Sequence, residues 1–294
     1  MSDVQGNEPR AVSVGVLKGG FGKTTTAINL ARELGHRNER ALLVDLDDNG
    51  HMTLILGHDD AYSGDRWGTN HAADVLLDGE DPQQYVTSVA DGLDLFPSHV
   101  ELEDVQSGLK EATMGTTRLK QELVDELLGE AYDYIVIDCP ANRGKLNDNA
   151  MYATGNIIIP LRPENGYETG LTNTVQRLVM DAREYFDLNI LSVVPTDLST
   201  RIDQDTRDRA LLREMTTRGA VAKHVPNFAY LSESDWEKVD NGGYDGPLPG
   251  IRHRAAIDNA NDEGVPLRDY DSECDQLACY DELAQIVETG EVAR

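Results

Sequence analysis

The chain has 294 residues, with 39% apolar residues and 53 acidic against 26 basic side chains, a formal net charge of -27 at pH 7. That length can bury a complete α/β core as one domain, and the compact apolar runs along it exclude a disordered protein. Cys139, Cys274 and Cys279 form neither a disulfide framework nor a paired CxxC metal pattern, and no stretch approaches the run of about eighteen apolar residues that a membrane span needs.

The first ten residues, MSDVQGNEPR, are polar and read as a flexible tail; residues 11–294 read as a single domain. AVSVGVL at 11–17 is a buried strand by its β-branched content, and Ala27, Leu30, Ala31 and Leu34 set a helical period that Gly35 stops. Strand-like runs recur at 41–47 (ALLVDLD), 93–98 (LDLFPS), 134–138 (YIVID), 156–161 (NIIIPL) and 190–196 (ILSVVPT). Helix-compatible stretches lie at 102–128, 170–186, 203–218 and 275–287. Near-continuous apolar strands alternating with helices predict an α/β three-layer sandwich: a mostly parallel, twisted sheet covered by helices on both faces. Polar, glycine-containing segments near 57–70 and 225–250 read as long loops. The second carries Phe228, Tyr230, Trp236 and Tyr244, which either pin it to the body or form a partner-binding face.

The acid is spread along the chain rather than held in a tail, and only seven of the 26 basic residues are lysines. That pattern suits a cytoplasm of molar salt, where a Debye length of about 3 Å makes self-repulsion tolerable.

The chemistry sits in KGGFGKTT, residues 18–25, between the first strand and the first helix. A loop entering a helix N-terminus presents unpaired N–H groups and a positive dipole end to phosphates. Gly19, Gly20 and Gly22 allow the backbone, with Phe21, to curl round a phosphate chain; Lys23 reaches the β and γ oxygens, Thr24 offers a hydroxyl to Mg²⁺, and Thr25 is placed for the α-phosphate. The string departs from GxxxxGK[ST], because Leu17 stands at the position of its first glycine, with Lys18 following. Asp45, Asp47 and Asp138 lie at the C-terminal ends of the next strands, from which a carboxylate can serve the metal or the attacking water.

These residues resemble the ParA/MinD group of deviant Walker A ATPases, and ParA partition proteins most closely. KGGFGKTTTAINLA is similar to the signature loop, VDLDDNGHMT to the first switch, LDLFPSHVEL to the middle strand, YDYIVIDCPANRGKLNDNA to the second switch and GVPLRDYD to the C-terminal segment. The resemblance implies a P-loop NTPase using ATP and Mg²⁺, an ATP-bound homodimer, slow hydrolysis, non-specific DNA, a ParB-like centromere-binding partner, and a cytoplasmic or nucleoid-associated location. By resemblance Lys18 is the signature lysine that reaches the partner's phosphates, Asp47 the acid that positions the attacking water and Asp138 the second-switch acid near Mg²⁺. Thr24, Asp47 and Asp138 are then the metal-side residues, the acids acting through water.

The chain departs from the group in having Asp48 and Asn49 after the switch acid, and Arg252 where a proline is common, so the adenine pocket stays unassigned. Candidate DNA contacts are Arg201, Arg207, Arg209, Arg213 and Arg218, interleaved with Asp203, Asp205, Asp208 and Glu214; Arg252 and Arg254 form a second small basic cluster. A solvated helix with paired charges explains the same pattern. A MinD-like membrane protein would need a basic amphipathic C-terminal helix, whereas DELAQIVETGEVAR is acidic. An iron–sulfur reductase relative would need two suitably placed cysteines. Another cargo-positioning ATPase of the same group stays open.

Overall fold

The computed structural model describes residues 8–37, 39–164, 171–200 and 206–293. The described residues form a seven-stranded sheet in the order β3-β4-β2-β5-β1-β6-β7. Its strands are β1 (Arg10–Val14), β2 (Ala41–Asp45), β3 (Thr87–Ala90), β4 (Leu93–Phe96), β5 (Tyr134–Asp138), β6 (Asn156–Leu161) and β7 (Asn189–Pro195). All neighbours pair in parallel except the edge strand β3, which runs antiparallel to β4. That hairpin was not expected from the sequence, because TSVA is short and only half-buried and lacks an apolar run.

Alternation along the strands assigns the two faces. Val12, Val14, Leu43 and Val136 pack in one core cluster with Leu30, Leu34, Leu283 and Val287, from the helices Lys23–His36 and Leu277–Thr289. Ala11, Leu42, Val44, Ile135 and Ile137, one residue out of phase, pack in another with Val75, Val105, Leu109, Leu146 and Ala150. Those side chains come from the helices His71–Leu76, Leu102–Glu111 and Lys145–Thr154. A sheet with both faces covered needs apolar side chains on each, which is why the strands read as continuous apolar runs. A third cluster joins β6 and β7 to Leu211, Leu212, Trp236 and Val239.

Several boundaries differ from the sequence reading. The run at 11–17 stops as a strand at Val14, and that at 41–47 stops at Asp45, since both then turn into loops at the sheet's C-terminal edge. The stretch at 102–128 splits: Leu102–Glu111 is helical, Met114 takes a φ of 57°, and helix resumes through the π-helical Lys120–Val124. Within 170–186 the backbone is π-helical over Thr174–Met180 and α-helical over Asp181–Arg183. The segment near 57–70 carries a helical turn, Asp59–Tyr62, and that near 225–250 carries the helix Glu233–Asp240. Ser232 and Asp235 close a capping box at the start of the second helix, a signal present in SESD but outweighed there by the surrounding glycines and prolines.

Candidate nucleotide site

β1 delivers the chain to the phosphate loop at the C-terminal edge of the sheet, between β5 and β6. That is the crevice position at which doubly wound α/β sheets hold their ligands. Gly20 and Gly22 take φ values of 76° and 75°, a left-handed geometry that costs any residue with a Cβ. Behind Gly22 lies Thr196, whose Oγ1 would stand 3.1 Å from an added Cβ. The helix Lys23–His36 begins at once, so its first N–H groups face the loop. Lys23 is buried, whereas Gly19 and Gly20 are exposed and Lys18 is half-buried with its Nζ 4.5 Å from the centre of the Phe21 ring. Two lysines of one loop thus have different surroundings, one within the cradle and one on its rim.

Asp138 ends β5 beside the loop, fully buried, and its Oδ2 accepts a 2.7 Å hydrogen bond from the Thr24 hydroxyl. Among the described residues its Oδ1 has no hydrogen-bond partner. Burial first, and then the neighbouring Asp45, push its carboxyl up to about 8, against the opposing pull of Lys23 and Thr24. A buried carboxylate oxygen without a donor, next to a threonine hydroxyl, fits a hard cation that takes oxygen ligands. Thr24 would ligate Mg²⁺ and Asp138 would hold its water shell; the ion's chemistry is to neutralise charge on the β and γ oxygens.

Asp45 and Asp47 differ in role. Asp45 is buried at the end of β2, and its two oxygens accept from Asp47 N at 3.1 Å, Thr53 N at 2.9 Å and the Thr53 hydroxyl at 2.7 Å. Burial raises its carboxyl to about 6 even so. It holds the segment 45–53 in shape, and its burial keeps it away from solvent. Asp47 is half-exposed, with Oδ1 accepting from Asn49 N at 3.1 Å and Asn49 Nδ2 at 2.8 Å. Its carbonyl accepts from Ser98 Oγ at 2.7 Å, which ties the first switch to the end of β4. Asn49 therefore fixes the orientation of the Asp47 carboxylate.

A cleft continues from the loop on the other side of the first helix. It is lined by Thr25 and Thr26, by Arg162 after β6, by Thr196 and Asp197 after β7, and by Asn261 and Tyr280 from two C-terminal helices. A nucleoside bound at the loop would lie here, and of these residues the sequence reading assigned only Thr25, to the α-phosphate. No spacing rule links Arg162 or Asn261 to a loop more than a hundred residues away; the sheet order brings Arg162 there, and the packing of the helix Ala255–Glu263 brings Asn261.

The expected basic surface is altered. Arg252 is not a surface residue: it is fully buried, ion-paired to Asp208 at 3.2 Å, and donates to the Ser199 carbonyl at 2.5 Å. Arg254 pairs with Asp275 at 2.6 Å. The second basic cluster is thus one core residue and one neutralised one. Arg201 lies outside the described residues, and Arg207 is exposed at the start of the helix Thr206–Thr217. Arg209 and Arg213 converge on Asp240, Arg213 also stacking 4.6 Å over the Trp236 ring, and Arg218 pairs with Glu214 at 3.2 Å. Cys139 and Cys279 are buried and Cys274 half-buried, with burial pushing all three thiols up and away from the thiolate form a cluster needs.

Comparison with known proteins agrees with this geometry. The AAA domain family model matches residues 9–188. The sporulation initiation inhibitor protein Soj of Bacillus subtilis is 36% identical over 188 residues, 63% of this chain and 71% of that protein. The chromosome-partitioning ATPase Soj of Treponema pallidum is 27% identical over 273 residues, 91% of this chain and 92% of that protein. A solved cobyrinic acid a,c-diamide synthase from Mycobacterium smegmatis, with an ATP analogue and magnesium bound, aligns with a TM-score of 0.61 at 28% identity, over 71% of this chain and 80% of that one. With its phosphate loop, its Thr24–Asp138 pair and these relatives, the chain belongs to the AAA domain family and, within it, to the ParA/MinD type of P-loop ATPase.

Proposed function

We propose that this ATPase is a Mg-ATP-dependent dimerising switch acting in DNA segregation. The observation that carries the reading is the pair of lysines on one loop: Lys23 buried in the cradle and Lys18 on its rim beside Phe21. A cation on the rim is placed to meet the phosphates of a second chain rather than its own. Phosphoryl transfer is largely positioning and charge stabilisation, and a lysine from each chain with a metal supplies the charge. Asp47, fixed by Asn49 and half-exposed, is the group for the attacking water, and hydrolysis resets the dimer. The chromosome-partitioning name of the Treponema relative supports DNA as cargo. The rest of the proposal is non-specific DNA held through Arg207 and its neighbours, a ParB-like partner that stimulates slow turnover, and nucleoid association.

Sedimentation with Mg-ATP, alongside hydrolysis rates, tests it on Lys18→Ala and Asp47→Ala. Lys18→Ala is expected to stay monomeric. Asp47→Ala is expected to dimerise but to hydrolyse ATP at least about a hundredfold more slowly, as loss of a positioned base or water-orienting group does. Unaltered hydrolysis in both variants refutes the assignment.

A further inference from the structure

Between the phosphate loop and the nucleoside cleft lies a chain of polar contacts that the mechanism above does not use. Arg162, following β6, donates from Nη1 to the Gly20 carbonyl at 2.8 Å and pairs through Nη2 with Asp197. Asp197, following β7, has a φ of 53° and also contacts His253 Nδ1 at 3.0 Å. Arg162, Asp197 and His253 all line the cleft.

The bond to Gly20 has a geometric consequence. In a trans peptide the C=O and the following N–H point in opposite directions. Gly20 is in the left-handed region, where the peptide that follows can flip most easily, and an added Cβ there would meet nothing within 4 Å. The buried Phe21 side chain anchors the far end of that peptide, and Arg162 holds its carbonyl, so the two together fix the direction of the Phe21 N–H. With the Gly20 carbonyl drawn outward to the guanidinium, the Phe21 N–H is turned the other way, into the loop. Arg162 is also paired with Asp197, so the two charges largely cancel at the distance of the phosphates. Its contribution is therefore orientation rather than added positive potential.

We infer that Arg162, held by Asp197, is a positioning residue for phosphate binding: it locks the Gly20–Phe21 peptide with the Phe21 N–H presented to the phosphate chain, and Asp197 links that lock to the wall of the nucleoside cleft. The inference rests on the nucleotide site described above, and it concerns affinity for phosphates whether or not the protein dimerises. Donors preset in a loop avoid the cost of ordering it on binding.

Equilibrium titration of the full chain with Mg-ADP and with tripolyphosphate tests it on Arg162→Ala, Arg162→Lys, Asp197→Asn and the Arg162→Ala/Asp197→Asn double variant. Loss of one charge-assisted hydrogen bond predicts about a tenfold weaker binding of both ligands by Arg162→Ala. Arg162→Lys, which keeps a donor, should recover part of it. The double variant should bind no worse than Arg162→Ala, because Asp197 acts through Arg162. Equal binding by Arg162→Ala and the unaltered chain overturns the inference, as does a loss for Mg-ADP without one for tripolyphosphate, which would make Arg162 a nucleoside contact. Failure of the unaltered chain to bind either ligand would instead defeat the nucleotide site itself. Thermal unfolding of each variant separates positioning from collapse: a loss of affinity that merely follows loss of the folded state, in Arg162→Lys as well as Arg162→Ala, also overturns it.

Discussion

At the scale of single residues the site is governed by burial. Asp138 is raised to about 8 from the ordinary 3.8, so in the ligand-free protein its protonated form is the one the fold favours. The stability that this group contributes is complete below its unfolded value near 4 and is lost as pH rises through about 8. A divalent cation reverses the preference, since it binds the ionised carboxyl and displaces the proton. Thermal unfolding should therefore show a ligand-free midpoint that falls from about pH 4 to about pH 8 and levels off above it, and a larger upward shift on adding Mg-ADP at pH 8.5 than at pH 6. Equal shifts at the two pH values would show that Asp138 is ionised without the metal. Gly22 offers a backbone test. With a φ of 75° and Thr196 Oγ1 3.1 Å from an added Cβ, Gly22→Ala should strain the loop by about 1–2 kcal/mol, roughly tenfold in Mg-ADP affinity by calorimetry. The loop and its glycines were legible in the sequence because they are contiguous and their backbone demand is local. Arg162 and Asp197 were not, because their meaning depends on the order of β1, β6 and β7 in the sheet.

At the scale of elements, two segments read as loops carry helices that change what their neighbours can do. The turn Asp59–Tyr62 brings the Tyr62 hydroxyl 3.0 Å from the Asp48 carbonyl, and with Ser98 on the Asp47 carbonyl it clamps the first switch from outside. The helix Glu233–Asp240 lays Trp236 under Arg213 and sets Asp240 against both Arg209 and Arg213. Its aromatic side chain is 9% exposed, so here the aromatic pins the segment to the body. The consequence for DNA is direct: two of the candidate arginines are engaged by one carboxylate. Asp240→Ala should release them, strengthen retention on non-specific duplex DNA and steepen the logarithmic salt dependence by up to about two phosphate equivalents. Unchanged retention would place the DNA surface elsewhere on the molecule. The sequence showed the interleaving of charge on the helix Thr206–Thr217, but the acid that matters for Arg209 and Arg213 lies on another helix, which only packing reveals.

For the whole molecule the net charge of -27 is the dominant property. Many of the described arginines are held in ion pairs, among them Arg32 with Asp269, Arg37 with Glu288 and Arg268 with Glu33, and most of the remaining acid, apart from the buried Asp45 and Asp138, is at least partly exposed. Self-repulsion of that size weakens as the Debye length falls from about 10 Å at 0.1 M salt to about 3 Å at 1 M. Adaptation to high salt predicts that the thermal midpoint rises steadily with KCl over that range, followed by circular dichroism. A chain fully stable in dilute buffer would contradict it. Among the described residues no helix is long and apolar enough to cross a membrane.

The sequence by itself determined the alternation of strands and helices, the phosphate loop with its two lysines, and the acids that end β2 and β5, because each is a short contiguous pattern with a local physical cause. Tertiary structure decided everything that needs distant segments side by side. It set Asp45, buried and bonded to Thr53 and the Asp47 N–H, apart from the half-exposed Asp47, and it buried Arg252 against Asp208. It also put Arg162 on the Gly20 carbonyl. These depend on the order in which parallel strands are stacked, and no periodicity along the chain encodes that order.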